Sequence, residues 1–248
     1  MTNVLAGGYE GDVYLVNPKA EEIAGRKVYK TIGDVPGPVD LAIVTVPAVQ
    51  SLKLIPELKA KGIRYMLLIS SGFGEVGPEG RELEKKLIRS AAEAGVSVLG
   101  PNTMGICNPH IKFYCVGTPC WPKAGSIGLL SQSGNLGTQL MAFAEAEGIG
   151  IRSFCGSGNE AMITLEDYLR TAALDEVTKS IILYVESIKD GKRFFRTAQK
   201  VSRRKPVVLL KGGRTAAGSR AAASHTGALA SNIKILNAAC RQAGRSEE

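Results

Sequence analysis

Three features that often mark a function are scarce in this 248-residue sequence: histidines, paired cysteines and aromatic residues. Two distant histidines, and five cysteines without a Cys-x-x-Cys pair, argue against a zinc site and indicate free thiols in a reducing compartment. No apolar run approaches the roughly 18–20 residues that span a bilayer, and the N-terminus shows no signal-peptide pattern. The sequence therefore predicts a cytoplasmic protein without a membrane partner.

Aromatic residues make up only 6% of the chain, although its formal net charge is +8. A basic protein can bind nucleic acid, or it can bind small anions such as phosphates and nucleotides. The basic residues are spread along the chain with one short cluster at 203–205, and no aromatic residues interleave with them to stack on bases. The charge thus favours small anionic ligands and no nucleic-acid partner.

The first part of the chain alternates apolar runs with helical patterns. Strands are predicted at 13–19, 41–47, 65–70 and 96–102, and helices at 50–61 and 79–94. This alternation predicts a parallel sheet covered on both faces, whose ligands bind at the carboxyl ends of the strands. No Gly-x-Gly-x-x-Gly motif follows a first strand, and no acidic ribose ligand stands at the expected spacing, which argues against a dinucleotide-binding dehydrogenase.

The segment 109–123 contains Pro119, Trp121 and Pro122 without periodicity, and we interpret it as an interdomain linker. A second alternation of elements follows it. The strands are predicted at 126–131, 151–155, 180–187 and 206–210, and the helices at 136–147, 164–173, 189–203 and 228–243. The predicted fold class is therefore α/β, with a first unit at 1–118 and a second unit at 124–248.

A histidine lies where small residues crowd together, in Ser224-His225-Thr226-Gly227-Ala228-Leu229. The segment follows Lys211-Gly212-Gly213-Arg214 on a strand-to-helix connection, and free N–H groups at a helix N-terminus attract anions. Imidazole exchanges protons or accepts a phosphoryl group near neutral pH. By spacing alone, a surface or N-capping histidine is the favoured interpretation.

Taken together, these segments resemble the NDP-forming acyl-CoA synthetases, which include ADP-forming acetate–CoA ligase and are related to the succinyl-CoA synthetase alpha subunit. The resemblance covers nearly the whole chain and implies a Rossmann-like CoA-binding domain followed by a flavodoxin-like domain. It implies that His225 becomes phosphorylated. It further implies that Glu186, which ends the strand 180–187, hydrogen-bonds the other ring nitrogen, as such chemistry needs.

Turn residues follow each predicted strand of the first unit, and such residues often only turn the chain. Their resemblance to the family's CoA-binding domain implies that the CoA site is lined by Lys19, Val46, Pro47, Ser71, Gly72, Phe73 and Asn102. Family members begin with an extra strand and a glycine-rich turn that holds the CoA pyrophosphate. We expect both this first strand and the final strand of the second unit to be missing, so that both units are clipped.

The turn from Ser131 to Gly134 leads into a predicted helix. It is either an ordinary serine N-cap or a phosphate cradle of hydroxyl and N–H groups. The family resemblance favours the cradle and adds the glycine turn after the strand 151–155. The candidate phosphate-binding residues are Ser131, Gln132, Ser133, Gly134, Gly156 and Gly158.

The resemblance implies the alpha-type part of an enzyme that interconverts acyl-CoA, phosphate and ADP with free acid, CoA and ATP through phosphohistidine. No nucleotide-binding module is found, so an ATP-grasp beta subunit or domain is expected to supply ADP or ATP with Mg²⁺, in an oligomer. The alternative is a non-catalytic regulatory module that binds CoA or acyl-CoA, against which the presence of both His225 and Glu186 argues. The acyl group and the choice between ADP and GDP stay open.

Overall fold

The computed structural model describes residues 2–213 and 233–244. The helices are α1 (Thr2–Ala6), α2 (Ala48–Ala60), α3 (Pro78–Ala94), α4 (Gly134–Ala146), α5 (Leu165–Leu174), α6 (Gly191–Ser202) and α7 (Ile233–Ala243). The strands are β1 (Leu15–Val16), β2 (Glu22–Ile23), β3 (Arg26–Tyr29), β4 (Ala42–Val44), β5 (Tyr65–Leu68), β6 (Ser97–Leu99), β7 (Gly105–Asn108), β8 (Phe113–Val116), β9 (Ala124–Ser131), β10 (Ile151–Gly156), β11 (Ser180–Val185) and β12 (Val207–Lys211). Within these described ranges, no helix has the length and apolar character to cross a membrane.

The first unit is built on a parallel three-stranded sheet in the order β4-β5-β6. Its middle strand is an apolar run, and Met66, Leu67 and Leu68 are fully buried. The apolar faces of α2 and α3 pack on this sheet through Ile55 and Leu87. The predicted strands and helices of this sheet are confirmed. The prediction works because continuous apolar strands and amphipathic helices bury their apolar surface only in such layers.

The predicted strand 13–19 was expected in this same sheet, and that expectation is wrong. Only Leu15–Val16 is extended, and it pairs with β3, which forms a hairpin with the unpredicted strand β2. Pro18 lacks an N–H group and so ends the run of ladder hydrogen bonds soon after β1. The result is a separate small sheet in the order β1-β3-β2.

The second unit is built on a six-stranded sheet in the order β12-β11-β9-β10-β7-β8. The strands β9 to β12 run parallel, as predicted, and their apolar residues form a core with α5, α6 and α7. The strands β7 and β8 join the edge as an antiparallel hairpin.

This hairpin corrects the interpretation of 109–123 as a linker. Residues Phe113–Val116 of that segment form β8, and the hairpin pairs with the sheet of the second unit although its residues lie before the predicted boundary at 118. The turn between the two strands is made by Pro109–Ile111 and by Lys112 in a left-handed conformation, which closes a hairpin rather than a linker. The prolines and Trp121 that suggested a linker lie beyond the strand.

The two units are joined by backbone contacts at the carboxyl ends of their strands. The turn after β10 packs on the turn after β6, where the N–H of Asn159 donates to the carbonyl of Pro101 (2.9 Å) and that of Ala161 donates to the carbonyl of Gly100 (2.9 Å). Gly158 has a positive φ of 61°, and a Cβ there would lie 2.3 Å from the Pro101 oxygen. Glycine at this position allows the close approach that brings the two sets of strand ends together.

Candidate functional site

A cleft of about 500 Å³ lies where the strand ends of both units meet. The first unit contributes the turns after β5 and β6, and the second contributes the turns after β9, β10 and β11. Predicted site residues on its walls are Ser71, Asn102, Gln132, Ser133, Gly134, Gly158 and Glu186. The structure therefore brings members of all three predicted groups, for CoA, phosphate and catalysis, to one cavity.

The start of α4 forms one wall of the cleft. Ser133 caps this helix, its Oγ accepting from the N–H of Leu136 (3.4 Å), and the Ser131 hydroxyl donates to the Ser133 carbonyl (2.6 Å). The first turn of an α-helix leaves N–H groups without intrahelical acceptors, and Gly134 and Asn135 of this turn border the cleft. The N–H groups at this helix N-terminus and the Ser133 hydroxyl can therefore donate hydrogen bonds to an anion in the cleft.

Gln132 is held by the protein itself. Its Oε1 accepts from the N–H groups of Glu186 (2.7 Å) and Ser187 (2.9 Å). Its Nε2 donates to Glu160 Oε1 (3.0 Å) and to the Ser187 carbonyl (2.9 Å). Because both amide hydrogens are used, the side chain has no donor left for phosphate in this arrangement, and its contribution is to fix the end of β11.

Glu186 follows β11 directly and borders the cleft. Beside it, the buried Lys211 at the end of β12 donates its Nζ to the carbonyls of Glu186 (2.7 Å) and Gly212 (2.5 Å). Desolvation lowers the pKa of Lys211, and the negative charge of Glu186 opposes this shift. His225 lies outside the described residues, so the predicted contact between its ring and Glu186 stays a prediction.

Two of the three predicted phosphate-site glycines lie at the end of β10: Gly156 is its last residue, and Gly158 is in the turn that follows. Gly158 borders the cleft, whereas Gly156 lies behind it, where a Cβ would be 3.0 Å from Thr103 Oγ1. Both glycines pack against the first unit, so their clearest role in the structure is to seat one turn on the other.

The predicted CoA residues are divided between the cleft and its surroundings. Ser71 and Asn102 border the cleft, and Lys19 and Pro47 are exposed at the ends of neighbouring elements. Val46 is half-buried, and its carbonyl accepts from Ser70 Oγ (2.5 Å). These positions leave an accessible rim at the ends of the first-unit strands.

Among the predicted CoA residues, Phe73 has a side chain that does not face the site. It is fully buried in the core of the first unit, so only its backbone can face a ligand. The N–H groups of Gly72 and Phe73 both donate to Glu75 Oε1, at 2.5 and 3.1 Å. The turn is thus closed by its own carboxylate.

Polar residues of the cleft that were not predicted as site residues include Glu75, Glu84, Asn159 and Glu160. Asn159 Nδ2 donates to Glu75 Oε2 (2.5 Å) and Glu84 Oε2 (2.9 Å), across the boundary between the units. Desolvation would raise the pKa of Glu75, but hydrogen bonds from Asn159 and the turn N–H groups outweigh it and lower that pKa. A positional signal was available for Glu75, Asn159 and Glu160, which follow predicted strand ends, but not for Glu84, which lies within α3.

Within residues 2–213 and 233–244, no group of three or more histidine, cysteine, aspartate or glutamate side chains is placed to hold a metal ion. The carboxylates of Glu75, Glu84 and Glu160 are instead bonded to side-chain amides and backbone N–H groups.

Two family models together match most of the chain. Residues 1–109 match a CoA binding domain, and residues 124–246 match a succinyl-CoA ligase like flavodoxin domain. The fold and the cleft thus define a two-domain α/β protein with a CoA-binding type first domain and a succinyl-CoA ligase type second domain.

Known proteins narrow this class. The chain is 41% identical to the alpha subunit of acetate–CoA ligase (ADP-forming) I from Pyrococcus furiosus, over 98% of this chain and 54% of that protein. It is 39% identical to acetate–CoA ligase (ADP-forming) I from Archaeoglobus fulgidus, over 95% of this chain and 34% of that protein. The dinucleotide forming acetyl-coenzyme A synthetase 1 of Ca. Korarchaeum cryptofilum, solved in complex with phosphate and ADP, superposes with a TM-score of 0.91 at 39% identity, covering 98% of this chain and 52% of that one.

The chain belongs to the NDP-forming acyl-CoA synthetase family. It spans about half the length of the alpha subunit that it matches.

Proposed function

We propose that this chain is the alpha-type part of an NDP-forming acyl-CoA synthetase of the cytoplasm. The observation that supports the proposal is the shared cleft, where the first turn of α4 and Glu186 lie beside the strand ends of the CoA-binding type domain. For a phosphate oxygen to attack the thioester carbonyl, the phosphate and the acyl-CoA must bind side by side, and the shared cleft would allow this.

The proposed reaction interconverts acyl-CoA, phosphate and ADP with free acid, CoA and ATP. A phosphate oxygen attacks the thioester carbonyl and the CoA thiolate leaves, which gives an acyl phosphate. A ring nitrogen of His225 then attacks the phosphorus, and the carboxylate of the acid leaves. The phosphohistidine finally transfers the phosphoryl group to ADP, which becomes ATP.

In this scheme, the described residues bind and orient. Ser133, Gly134 and Asn135 hold the phosphoryl oxygens at the helix N-terminus. The Glu186 carboxylate accepts the hydrogen of the non-reacting ring nitrogen, which fixes the tautomer and stabilises positive charge on the imidazole. These two groups lie on adjacent strand ends of one sheet, so a histidine entering the cleft can meet both.

The first-unit rim fits CoA in part. Exposed Lys19 offers a cation for a phosphate, and Val46, Pro47, Ser71 and Asn102 lie along the strand ends. The N–H groups of Gly72 and Phe73 serve CoA only if Glu75 is displaced, because they already donate to its carboxylate. Bound there, CoA would supply the thiol that the acyl group leaves and rejoins.

The nucleotide half of the reaction is assigned to a partner. We propose an ATP-grasp subunit or domain that binds ADP or ATP with Mg²⁺ and meets this chain in an oligomer. The naming of similar proteins as alpha subunits supports a second type of subunit.

Phosphorylation of the histidine tests the function. The chain is incubated with an ATP-grasp partner, Mg²⁺ and radiolabelled ATP, and in parallel with acetyl-CoA and radiolabelled phosphate. We expect an acid-labile, base-stable label that His225→Asn abolishes and that His110→Asn, a change at the exposed second histidine, retains. Label that persists in His225→Asn would overturn the assignment, and an unlabelled wild-type chain would favour the regulatory module.

A further inference from the structure

We propose that Glu160 is a positioning residue that holds Glu186 in place through the side chain of Gln132. The proposal rests on the proposed function and deepens it, since Glu186 is the residue assigned to orient the histidine. None of the three residues is a neighbour of the others in the sequence, and the cleft brings them together at the ends of three adjacent parallel strands.

The side-chain amide of Gln132 connects the ends of β9 and β11. Its oxygen accepts the N–H groups of both Glu186 and Ser187, so it sets where the chain turns after β11. An amide can do this only in one of its two orientations, because a flip would present its NH₂ group to two donors. Some neighbour must therefore select the orientation.

Glu160 is that neighbour. Its Oε1 accepts from Gln132 Nε2 at 3.0 Å, and the Ser187 carbonyl accepts the second amide hydrogen at 2.9 Å. A carboxylate oxygen accepts a hydrogen bond from NH₂ but repels the amide oxygen of a flipped glutamine. The pair thus fixes the amide, and the amide fixes the backbone of Glu186.

The surroundings of Glu160 indicate that its carboxyl group has a role beyond turning the chain. The residue is only 3% exposed, and its backbone is left-handed with φ of 55°, which is costly for a residue other than glycine. Lys189 Nζ holds the carbonyls of Asn159 (2.6 Å) and Glu160 (3.0 Å) and keeps this turn in place. A buried acid in a strained turn is an expensive way merely to reverse the chain.

The consequence concerns the precision of the site. A carboxylate that orients an imidazole must be held to within a fraction of an ångström, and loss of such outer supports commonly costs 10–100-fold in activity. Removing the Glu160 acceptor takes away one of the four bonds that hold the Gln132 amide, and the bonds from the amide oxygen that locate Glu186 are then less firmly fixed.

The test measures the rate of His225 phosphorylation in a single turnover, using the chain with its ATP-grasp partner and radiolabelled ATP. We expect Glu160→Ala to slow the reaction about 10–100-fold without changing the KM for ATP. Glu160→Gln keeps an acceptor oxygen and should stay close to the wild-type rate. Glu166→Ala is the matched control, because Glu166 is equally buried at 3% exposure but accepts from Thr164 and not from Gln132. It should leave the rate per folded molecule unchanged.

A swap guards against a Glu160→Ala chain that does not fold. Gln132→Glu places two carboxyl groups together and should slow phosphorylation, whereas the double variant Gln132→Glu/Glu160→Gln restores one donor–acceptor pair and should recover part of the rate. The proposal is overturned if Glu160→Ala reacts as fast as wild type, if Glu160→Gln is as slow as Glu160→Ala, or if the swap recovers nothing. An unlabelled wild type would instead count against the proposed function.

Discussion

The backbone N–H groups on the two walls of the cleft have different partners. On the first-unit side, the N–H groups of Gly72 and Phe73 donate to Glu75, and that of Gly74 donates to Glu84 Oε2 at 3.1 Å. On the second-unit side, the start of α4 is capped by the neutral Ser133, and no carboxylate of the described residues is seen to bond its first turn. The comparison favours the second wall as the place for the anion that we propose to bind here.

The amide of Asn159 links these two walls. It belongs to the second unit and donates to both first-unit carboxylates, while Asn102 Nδ2 donates to its oxygen at 3.2 Å. The acidic wall is therefore completed only when the units are docked as described. The same bonds of Asn159 thus join the two units and fix the carboxylates of the acidic wall.

The largest expected effect comes from breaking the contact between the walls. Gly158→Ala forces a side chain into a left-handed position and within 2.3 Å of the Pro101 oxygen. Strain and overpacking together should cost about 3–5 kcal/mol of unfolding free energy, measured by urea denaturation. Gly62→Ala has a similar φ of 78° but open space, so it should cost only about 1–2 kcal/mol. Equal losses in the two variants would show that the close contact carries no energy.

The next prediction concerns chemistry on the second wall. Glu186→Gln keeps the size of the side chain but removes its charge, and it should slow histidine phosphorylation by roughly 100-fold or more. Stability should change little. The exposed Glu147→Gln serves as the control for loss of one carboxylate. If Glu186→Gln lost fold and activity in proportion, the residue would be structural.

A smaller effect is expected on the acidic wall. Asn159→Ala removes donors to two partly buried carboxylates and should cost about 1–2 kcal/mol at pH 7 after allowing for solvent screening. The pKa of Glu75 is lowered in the folded chain, so its stabilising bonds are fully present above the ordinary glutamate pKa of about 4.3 and are lost as the pH falls through the folded value.

The measurement is the difference in unfolding free energy between wild type and Asn159→Ala from pH 7 down to pH 3. We expect the difference to shrink with falling pH, and to depend less on pH when both chains also carry Glu75→Gln. A difference that stays constant with pH would contradict an effect through the Glu75 carboxylate.

These contrasts also show why some features were predictable from sequence and others were not. The strand ends, the N-cap Ser133 and the glycine turn at Gly158 are local signals, and the structure has all three. The bonds of Asn159 to Glu75 and of Gln132 to Glu160 join residues 84 and 28 positions apart. No periodicity encodes such pairs, since the first depends on how the two units dock and the second on which strands of the second-unit sheet lie side by side.

The β7–β8 hairpin was not predicted from the sequence, and part of it was interpreted as a linker, for a related reason. Its strands are four residues long; β7 pairs with β10, which comes later in the chain, and β8 pairs with β7. Phe154 and Cys155 of β10 lie opposite Cys107 and Ile106. A short edge strand depends on its sheet for its identity, whereas the buried run Tyr65–Leu68 is recognisable by itself.

The smallest expected effect separates helix capping from anion binding on the second wall. Ser133→Ala removes the α4 cap and one hydroxyl donor, so it should cost about 1 kcal/mol in stability. Thr164→Ala removes a capping box at α5, away from the cleft, and should cost a similar amount. Only Ser133→Ala should weaken phosphate binding, by about tenfold, the lower end of what one hydrogen bond to a charged group contributes. Calorimetric titration of phosphate into both variants measures this, and equal phosphate affinity in the two would show that the Ser133 hydroxyl only caps its helix.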